Sequence, residues 1–294
     1  MWLIAESDRN DPRVVRTRDA HGYGMHAQWS DDFHHALHVA LTGERNGYYQ
    51  DFEVRHLAHA LDRGFVYAGD HSNHRQRRHG RPAGGVPLWR LVGYAQNHDQ
   101  VGNRPHGERL SHLAGFDGAR VAAALVLTSP FVPLLFMGEE WGATTPFQFF
   151  TDFGDPALAS AVREGRRAEL ASFGWRVDDP PDPGDPATFQ RSKLDWSELG
   201  EAEHHAMVAW YRDLIALRRS RADLSDGRRP TVLVDLEEGV VHQLRGATLV
   251  VANLSHHKRR VEAEGTVLLA CDGVTQRGAA LHLPPRSAAI LDVS

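Results

Sequence analysis

The stretch from residue 91 to residue 103, LVGYAQNHDQVGN, decides the expected fold. Residues 91–95 are apolar with β-branched and aromatic members, whereas Asn97, His98 and Asp99 begin a polar segment. This abrupt change is typical of a buried parallel strand that ends in a polar loop. Barrels and open parallel sheets place ligands at this end of a strand. A simpler interpretation is that the three polar residues cap the next helix or form a turn.

A second stretch of the same form begins at residue 2. The apolar residues 2–5, WLIA, lead directly into Glu6, Ser7 and Asp8. Two apolar strands that each end at a carboxylate predict paired acids at one rim of a parallel sheet.

The segments between and after these two stretches alternate between strand and helix patterns. Residues 25–29 and 132–136 predict further buried strands, and residues 31–41 and 118–128 predict helices, the first of them capped by Asp32. This alternation predicts an α/β fold with a parallel sheet, and the spacing suits a (β/α) barrel.

The remaining segments suggest a second, smaller domain. Residues 71–85 form a basic, glycine-rich loop that is expected to lie over the active face of the barrel. Residues 157–173 and 199–224 have helical spacing, and the segment 178–186 is too rich in proline for regular structure. Short strand patterns separated by Gly, Asp and Ser begin at Thr231 and predict an antiparallel β-sandwich. The predicted domains are therefore residues 1–228 and 229–294.

The composition excludes several classes of protein. The chain has 294 residues, 41% of them hydrophobic, and a formal net charge of -5, which argues against a nucleic-acid partner. Cys271 is the single cysteine, so no disulfide framework exists and a reducing, cytoplasmic location is the simpler expectation. Residues 2–5 are too short for a secretory signal. Residues 121–138 contain two prolines and are not expected to span a membrane.

Several runs of sequence resemble the α-amylase family of glycoside hydrolases. The runs LIAESDRNDPR and YAQNHDQVGN carry the resemblance to the family as a whole. Four further runs resemble one group within it, the maltooligosyltrehalose trehalohydrolases: QWSDDFHHALH, LTGERNGYYQDF, FMGEEWGATTPFQFFTD and SKLDW. The resemblance extends over nearly the whole chain. It implies hydrolysis, with retention, of the α-1,4 bond that joins terminal trehalose to a maltooligosaccharide, without a cofactor.

The resemblance also assigns roles to individual residues. In the family, a glutamate that closes the fifth barrel strand is the general acid/base, which corresponds to Glu6. The seventh strand ends in Asn-His-Asp, whose aspartate, Asp99, holds the sugar in the transition state. Asn97 and His98 would add neutral hydrogen-bond donors. To act as an acid, Glu6 needs a raised pKa, which burial beside other carboxylates would supply.

Further substrate contacts are expected around these two acids. Trp29 and Trp141 are candidate platforms for sugar rings, as are Tyr48, Tyr49 and Phe147, although each aromatic side chain fits a core position equally well. The remaining predicted substrate-binding residues are Gln100, Arg104 and Glu139. No metal site is assigned.

The expected nucleophile is missing. In the family it is an aspartate within a Gly-x-Arg-x-Asp-like run that closes the fourth strand, and no such run occurs here. The chain therefore resembles the C-terminal half of the enzyme, a partial (β/α)8 TIM barrel of strands five to eight followed by the sandwich. We expect it to be inactive by itself, with the N-terminal half of the barrel as a potential partner.

Three alternatives remain open from the sequence. The chain could act as a glucan-binding fragment or subunit of a split enzyme, or as an α-1,4-glucan branching enzyme, which shares FMGEEWG-like wording. The third alternative is a metal-dependent hydrolase that uses His34 and His38, because Asp31, His35 and these two histidines stand near one face of the predicted helix.

Overall fold

The computed structural model describes residues 1–175 and 177–294. Four short parallel strands, in the order β1-β2-β5-β6, form the sheet of the larger part of the chain. The first six strands in chain order are β1 (Ile4–Ala5), β2 (Ala27–Trp29), β3 (Ala68–Ser72), β4 (Arg77–Gly80), β5 (Leu91–Gly93) and β6 (Val132–Pro133). The predicted parallel sheet is therefore present, with shorter strands than the apolar runs indicated.

Eight α-helices accompany the strands in the described residues. They are α1 (Asp31–Thr42), α2 (Arg55–Arg63), α3 (His98–Gly102), α4 (Leu110–Thr128), α5 (Pro156–Ser172), α6 (Pro186–Arg191), α7 (Ala202–Ser220) and α8 (Ala222–Ser225). Helices α1 and α4 are largely buried and pack against each other, and Phe33 of α1 meets Phe131 edge to face at 5.1 Å. The principal core lies between these helices and the sheet.

Helix α4 is longer than predicted. It begins at Leu110 rather than at Gly118, and it is interrupted by Gly115, whose φ of 70° and ψ of 172° are not helical. Glycine adopts this backbone conformation at little cost, so the chain continues as a helix beyond the kink. By length and composition α4 could cross a membrane, but most of its apolar window is buried inside the protein.

Asp32 does not cap α1 as predicted. Ser30 is the N-cap residue, and the Asp32 carboxylate accepts hydrogen bonds from the backbone amides of Val66 (2.6 Å) and Tyr67 (3.0 Å) and from Asn10 Nδ2 (2.7 Å). Burial raises the pKa of Asp32 to about 6, although these hydrogen bonds oppose the shift. Asp32 therefore fixes the segment that enters β3.

The basic segment 71–85 is mostly a β-hairpin rather than a loop. Strands β3 and β4 pair antiparallel, and Arg75 lies in the turn between them. Its guanidinium reaches Asp8 at 2.7 Å, and the backbone oxygen of Asp8 contacts His79 Nε2 at 2.8 Å. Because Asp8 follows β1, the hairpin lies beside the end of the sheet where the predicted acids stand, as expected for this segment.

The C-terminal part is an antiparallel β-structure of two sheets, as predicted. Its strands are β7 (Thr231–Asp235), β8 (Val240–Arg245), β9 (Thr248–Asn253), β10 (Arg259–Glu262), β11 (Thr266–Ala270), β12 (Thr275–Arg277), β13 (Ala280–Leu283) and β14 (Ser287–Asp292). Their orders are β11-β14-β9-β8-β7 and β10-β13-β12. The sequence patterns missed three short strands, of which β10 and β12 are mostly polar and β13 has only four residues. Gln243 and Arg245 donate hydrogen bonds to the Thr128 carbonyl at 2.9 Å, which ties the larger sheet to α4.

Candidate active site

The predicted site residues meet at the carboxyl ends of the parallel strands. Glu6 follows β1, Asp31 follows β2, and His98 begins α3 after β5. Parallel strands all end at the same edge of a sheet, so these residues form one rim. We use the term "acidic rim" for Glu6, Asp8, Asp31 and Asp99.

Glu6 and His98 are brought together across β2. Oε1 of Glu6 lies 3.7 Å from Nε2 of His98, and both side chains are more than half exposed (56% and 53%). The indole of Trp29 lies edge-on to the His98 ring, with centroids 6.0 Å apart. The sequence prediction that two acid-bearing strand ends share one rim is therefore confirmed. The expected burial of Glu6 is wrong, because its carboxylate faces solvent.

Asn97 is the N-cap of α3. Its Oδ1 accepts hydrogen bonds from the amides of Asp99 (2.9 Å) and Gln100 (3.1 Å), and its side chain is buried. This cap holds the start of the helix so that His98 and Asp99 project outward, where both are exposed. A helix-capping role and a substrate-binding role for the Asn97-His98-Asp99 motif are therefore compatible. Asn97 caps the helix, whereas His98 and Asp99 face solvent. Gln100 is buried behind them.

Arg104 is committed to a structural ion pair. Its guanidinium contacts both carboxylate oxygens of Glu44, at 2.7 and 2.8 Å, and Glu44 also bonds His38 Nε2 at 2.7 Å. Burial alone would raise the pKa of Glu44, but these two partners lower it to about 2. Arg104 is only 6% exposed, so the structure does not support the predicted direct contact with substrate.

Trp141 and Glu139 are also interior residues, which corrects their prediction as substrate contacts. Trp141 is 2% exposed and donates from Nε1 to Glu198 at 3.1 Å. Glu139 is 4% exposed and accepts from the Tyr211 hydroxyl at 3.3 Å and from Gln96 Nε2 at 3.4 Å. Burial raises the pKa of Glu139 to about 8, so this carboxyl is mostly protonated at neutral pH. Glu139 and Trp141 both come after β6 in the chain, but their side chains point into the protein interior.

The histidines of α1 do not form a metal centre. His34 bonds the Ala95 carbonyl at 2.8 Å and the Tyr49 hydroxyl at 2.9 Å, and His35 stacks on Tyr48 at 4.4 Å between ring centroids. Burial lowers the pKa of His34 and His35 well below the usual value, so both rings are neutral. Within residues 1–175 and 177–294, no three potential ligand side chains are grouped to hold a metal ion. The metal-dependent alternative therefore gains no support.

Two members of the acidic rim are not among the catalytic and substrate-binding residues predicted from the sequence. Asp31 accepts a hydrogen bond from the Tyr94 hydroxyl, and burial raises the pKa of Asp31 to about 6. Asp8 pairs with Arg75; burial by itself would raise the pKa of Asp8, but the hydrogen bond and charge of Arg75 and the charge of His79 together outweigh burial, so the net shift is downward. Their positions in the sequence could have predicted that both residues lie at the rim, because each is within three residues of the end of an apolar strand.

The chain is similar to several proteins of known name. No family model matches the chain. Malto-oligosyltrehalose trehalohydrolases from Mycobacterium tuberculosis and Arthrobacter ramosus are 46% and 48% identical to it, over 98% and 99% of its length. A relative of the same name from Saccharolobus solfataricus is 45% identical over 74% of the chain.

The chain belongs to the malto-oligosyltrehalose trehalohydrolase family. It spans about half the length of these relatives, 51% of the Mycobacterium and Arthrobacter proteins and 37% of the Saccharolobus protein.

Solved structures place the same family within a wider fold. A putative alpha amylase from Salmonella typhimurium superimposes with a TM-score of 0.84 and 38% identity over the whole chain, which covers 51% of that structure. An alpha-amylase from H. orenii, 16% identical with a TM-score of 0.56, shares the fold and is also covered only in part, at 54%. The trehalohydrolase-family chain therefore has an α-amylase-type architecture, a barrel-derived α/β part with a C-terminal β-domain.

Proposed function

We propose that this chain contributes the acid-bearing half of a glycosidase site that cleaves the α-1,4 bond next to terminal trehalose in maltooligosyltrehalose. The observation that carries the proposal is the 3.7 Å approach of Glu6 to His98 at a rim that also contains Trp29 and Asp99. The trehalohydrolase names of the relatives support this choice of substrate.

In the proposed reaction, Glu6 is the general acid once the other half of the barrel covers the carboxylate that faces solvent in this chain. Its carboxyl protonates the leaving glycosidic oxygen, and its carboxylate then activates water for the second step. Asp99 accepts hydrogen bonds from hydroxyls of the sugar that is cleaved, and these bonds strengthen as positive charge develops on the ring. His98 stands beside both groups and would hold the same sugar through its ring nitrogens.

A retaining mechanism needs a second carboxylate, the nucleophile, on the opposite side of the anomeric carbon. We infer that β1, β2, β5 and β6 correspond to barrel strands five to eight, and that the nucleophile belongs to a preceding strand outside this sequence. On this assignment the chain alone binds sugar without cleaving it. Binding without turnover is also what a glucan-binding subunit would show, and the exposure of His98 and Asp99 beside the partly exposed Trp29 favours that second candidate.

The test is to incubate the folded, purified chain with maltotriosyltrehalose and to measure released trehalose. We expect no release from the chain alone, and release after addition of a polypeptide that corresponds to the other half of a relative. Glu6→Gln should abolish the restored activity, whereas Glu164→Gln on the exposed face of α5 should leave it unchanged. Release by the chain alone at enzyme-like rates would refute the proposal and point to Asp8 or Asp11 as nucleophile. Failure to restore release, with saturable glucan binding, would favour the binding subunit.

A further inference from the structure

Asp31 occupies the central position in the acidic rim. Strand β2 lies between β1 and β5 in the sheet, and Asp31 follows β2 by two residues. It therefore stands between Glu6 and Asp99 along the rim. Its side chain is partly exposed, so a molecule bound across the rim can reach it.

The carboxylate of Asp31 is held in place by one oxygen. The hydroxyl of Tyr94, a fully buried residue directly after β5, donates to Oδ1. Tyr94 is itself fixed, since its ring stacks on His34 and lies against the Trp29 indole, with centroid distances of 5.6 Å in each case. Among residues 1–175 and 177–294, the second oxygen, Oδ2, has no hydrogen-bond partner.

Charged and titratable side chains from several neighbouring segments influence the charge of Asp31. Burial and the carboxylates of Asp8 and Asp99 disfavour its charged form, whereas Tyr94 and Arg75 favour it. The Tyr48 hydroxyl is a further titratable neighbour. An oriented carboxylate with one free oxygen and two acidic neighbours gains from neutral hydroxyl donors, which supply hydrogen bonds without adding negative charge.

We propose that Asp31 is a substrate-binding residue, whose free oxygen accepts hydrogen bonds from hydroxyls of the sugar ring that packs against Trp29. Sugar rings have an apolar face that fits an indole and a periphery of hydroxyl donors that need acceptors. Trp29 and Asp31 are two residues apart at the end of one strand and offer both features. This role rests on the proposed glucan site and extends it to a residue on the strand between the two assigned acids.

The test is calorimetric titration of the full chain with maltotetraose at pH 7.5 and pH 5. We expect Asp31→Asn to weaken binding about tenfold or more at pH 7.5, because a charged acceptor is replaced by a neutral one. Binding by the unmodified chain should weaken between pH 7.5 and pH 5 as Asp31 becomes protonated, and this part of the pH dependence should be absent from Asp31→Asn. A structural role would not produce that difference.

Two controls keep the outcomes separate. Asp272→Asn, an exposed carboxylate in a turn of the C-terminal sheets, should bind like the unmodified chain. Thermal unfolding should show that Asp31→Asn is at least as stable as the unmodified chain, because it removes a partly buried charge. Equal affinity of Asp31→Asn and the unmodified chain at pH 7.5 would overturn the role of Asp31. Absence of binding by every variant and by the unmodified chain would overturn the glucan site itself, and Asp31 with it.

Discussion

At the scale of single residues, the chain keeps polar groups in two distinct settings. The rim residues Glu6, His98 and Asp99 face solvent, whereas Glu139 and Glu44 are held in interior networks. The sequence alone therefore does not reveal whether a glutamate is charged, because burial raises its pKa whereas hydrogen-bond donors and nearby positive charges lower it. Glu139 is raised to about 8 and Glu44 lowered to about 2 in the same molecule.

Glu139 should make the stability of the chain depend on pH. Its pKa of about 8 in the folded state lies above the ordinary value of 4.5, so the folded protein keeps a proton that the unfolded chain releases. Its contribution to the free energy of unfolding is fully present below pH 4.5 and falls by about 1.4 kcal/mol per pH unit until pH 8. Urea unfolding at pH 6, 7 and 8 measures the slope.

Glu139→Gln should flatten that dependence, since glutamine keeps the shape of the side chain and cannot ionise. The matched control is Glu164→Gln, which changes an exposed glutamate of α5 and should retain the slope of the unmodified chain. The prediction fails if Glu139→Gln unfolds with the same pH dependence as the control.

At the scale of elements, β5 depends on a glycine where two aromatic rings approach it. A methyl group on Gly93 would stand 2.7 Å from Phe131 and 3.2 Å from Phe33, closer than van der Waals contact allows. Gly93→Ala should therefore push both rings apart and lower the free energy of unfolding by about 2 kcal/mol. Denaturant unfolding at constant pH gives this value.

A second glycine supplies the opposite expectation. Gly165 lies inside α5, where an added methyl group meets no atom within 4 Å. Gly165→Ala should raise the free energy of unfolding by about 0.5 to 1 kcal/mol, because alanine has the higher helix propensity. If both substitutions changed stability by the same amount and sign, the packing argument for Gly93 would be wrong.

At the scale of the whole molecule, both edges of the parallel sheet are open. In the described residues β1 and β6 each pair with one neighbour only, and apolar side chains beside them are exposed, including Leu3 (46%), Ile4 (51%) and Val132 (43%). Parallel sheets are normally closed or covered, and exposed apolar edges favour association with other chains.

We therefore expect the purified chain to associate at micromolar concentrations. The substitutions Ile4→Lys and Val132→Lys should shift it toward monomer, because a charge on each edge opposes pairing. Phe189→Lys, on the exposed surface of α6, should leave the distribution unchanged. Sedimentation velocity across a range of concentrations checks this, and a chain that is monomeric throughout would contradict it.

The sequence alone determined the parallel sheet, the antiparallel C-terminal domain and the two acid-bearing strand ends. Apolar runs that stop at polar residues are local patterns and can be read directly from the sequence. The carboxyl ends of parallel strands lie at the same edge of the sheet regardless of the loops that connect them. The family resemblance was also readable from contiguous words such as ESDRNDPR and NHDQVGN.

Only the tertiary structure decided which polar side chains face the site. Glu139, Trp141 and Arg104 lie in or near sequence runs that resemble the family. In the structure they are buried, because each bonds to a residue at least 57 positions away along the chain. These partners are Tyr211 for Glu139, Glu198 for Trp141 and Glu44 for Arg104. The Asp31 carboxylate is likewise positioned by a distant residue, because it accepts a hydrogen bond from Tyr94, 63 residues away along the chain. Burial and long-range hydrogen bonds arise from packing between distant segments, so no local pattern in the sequence encodes them.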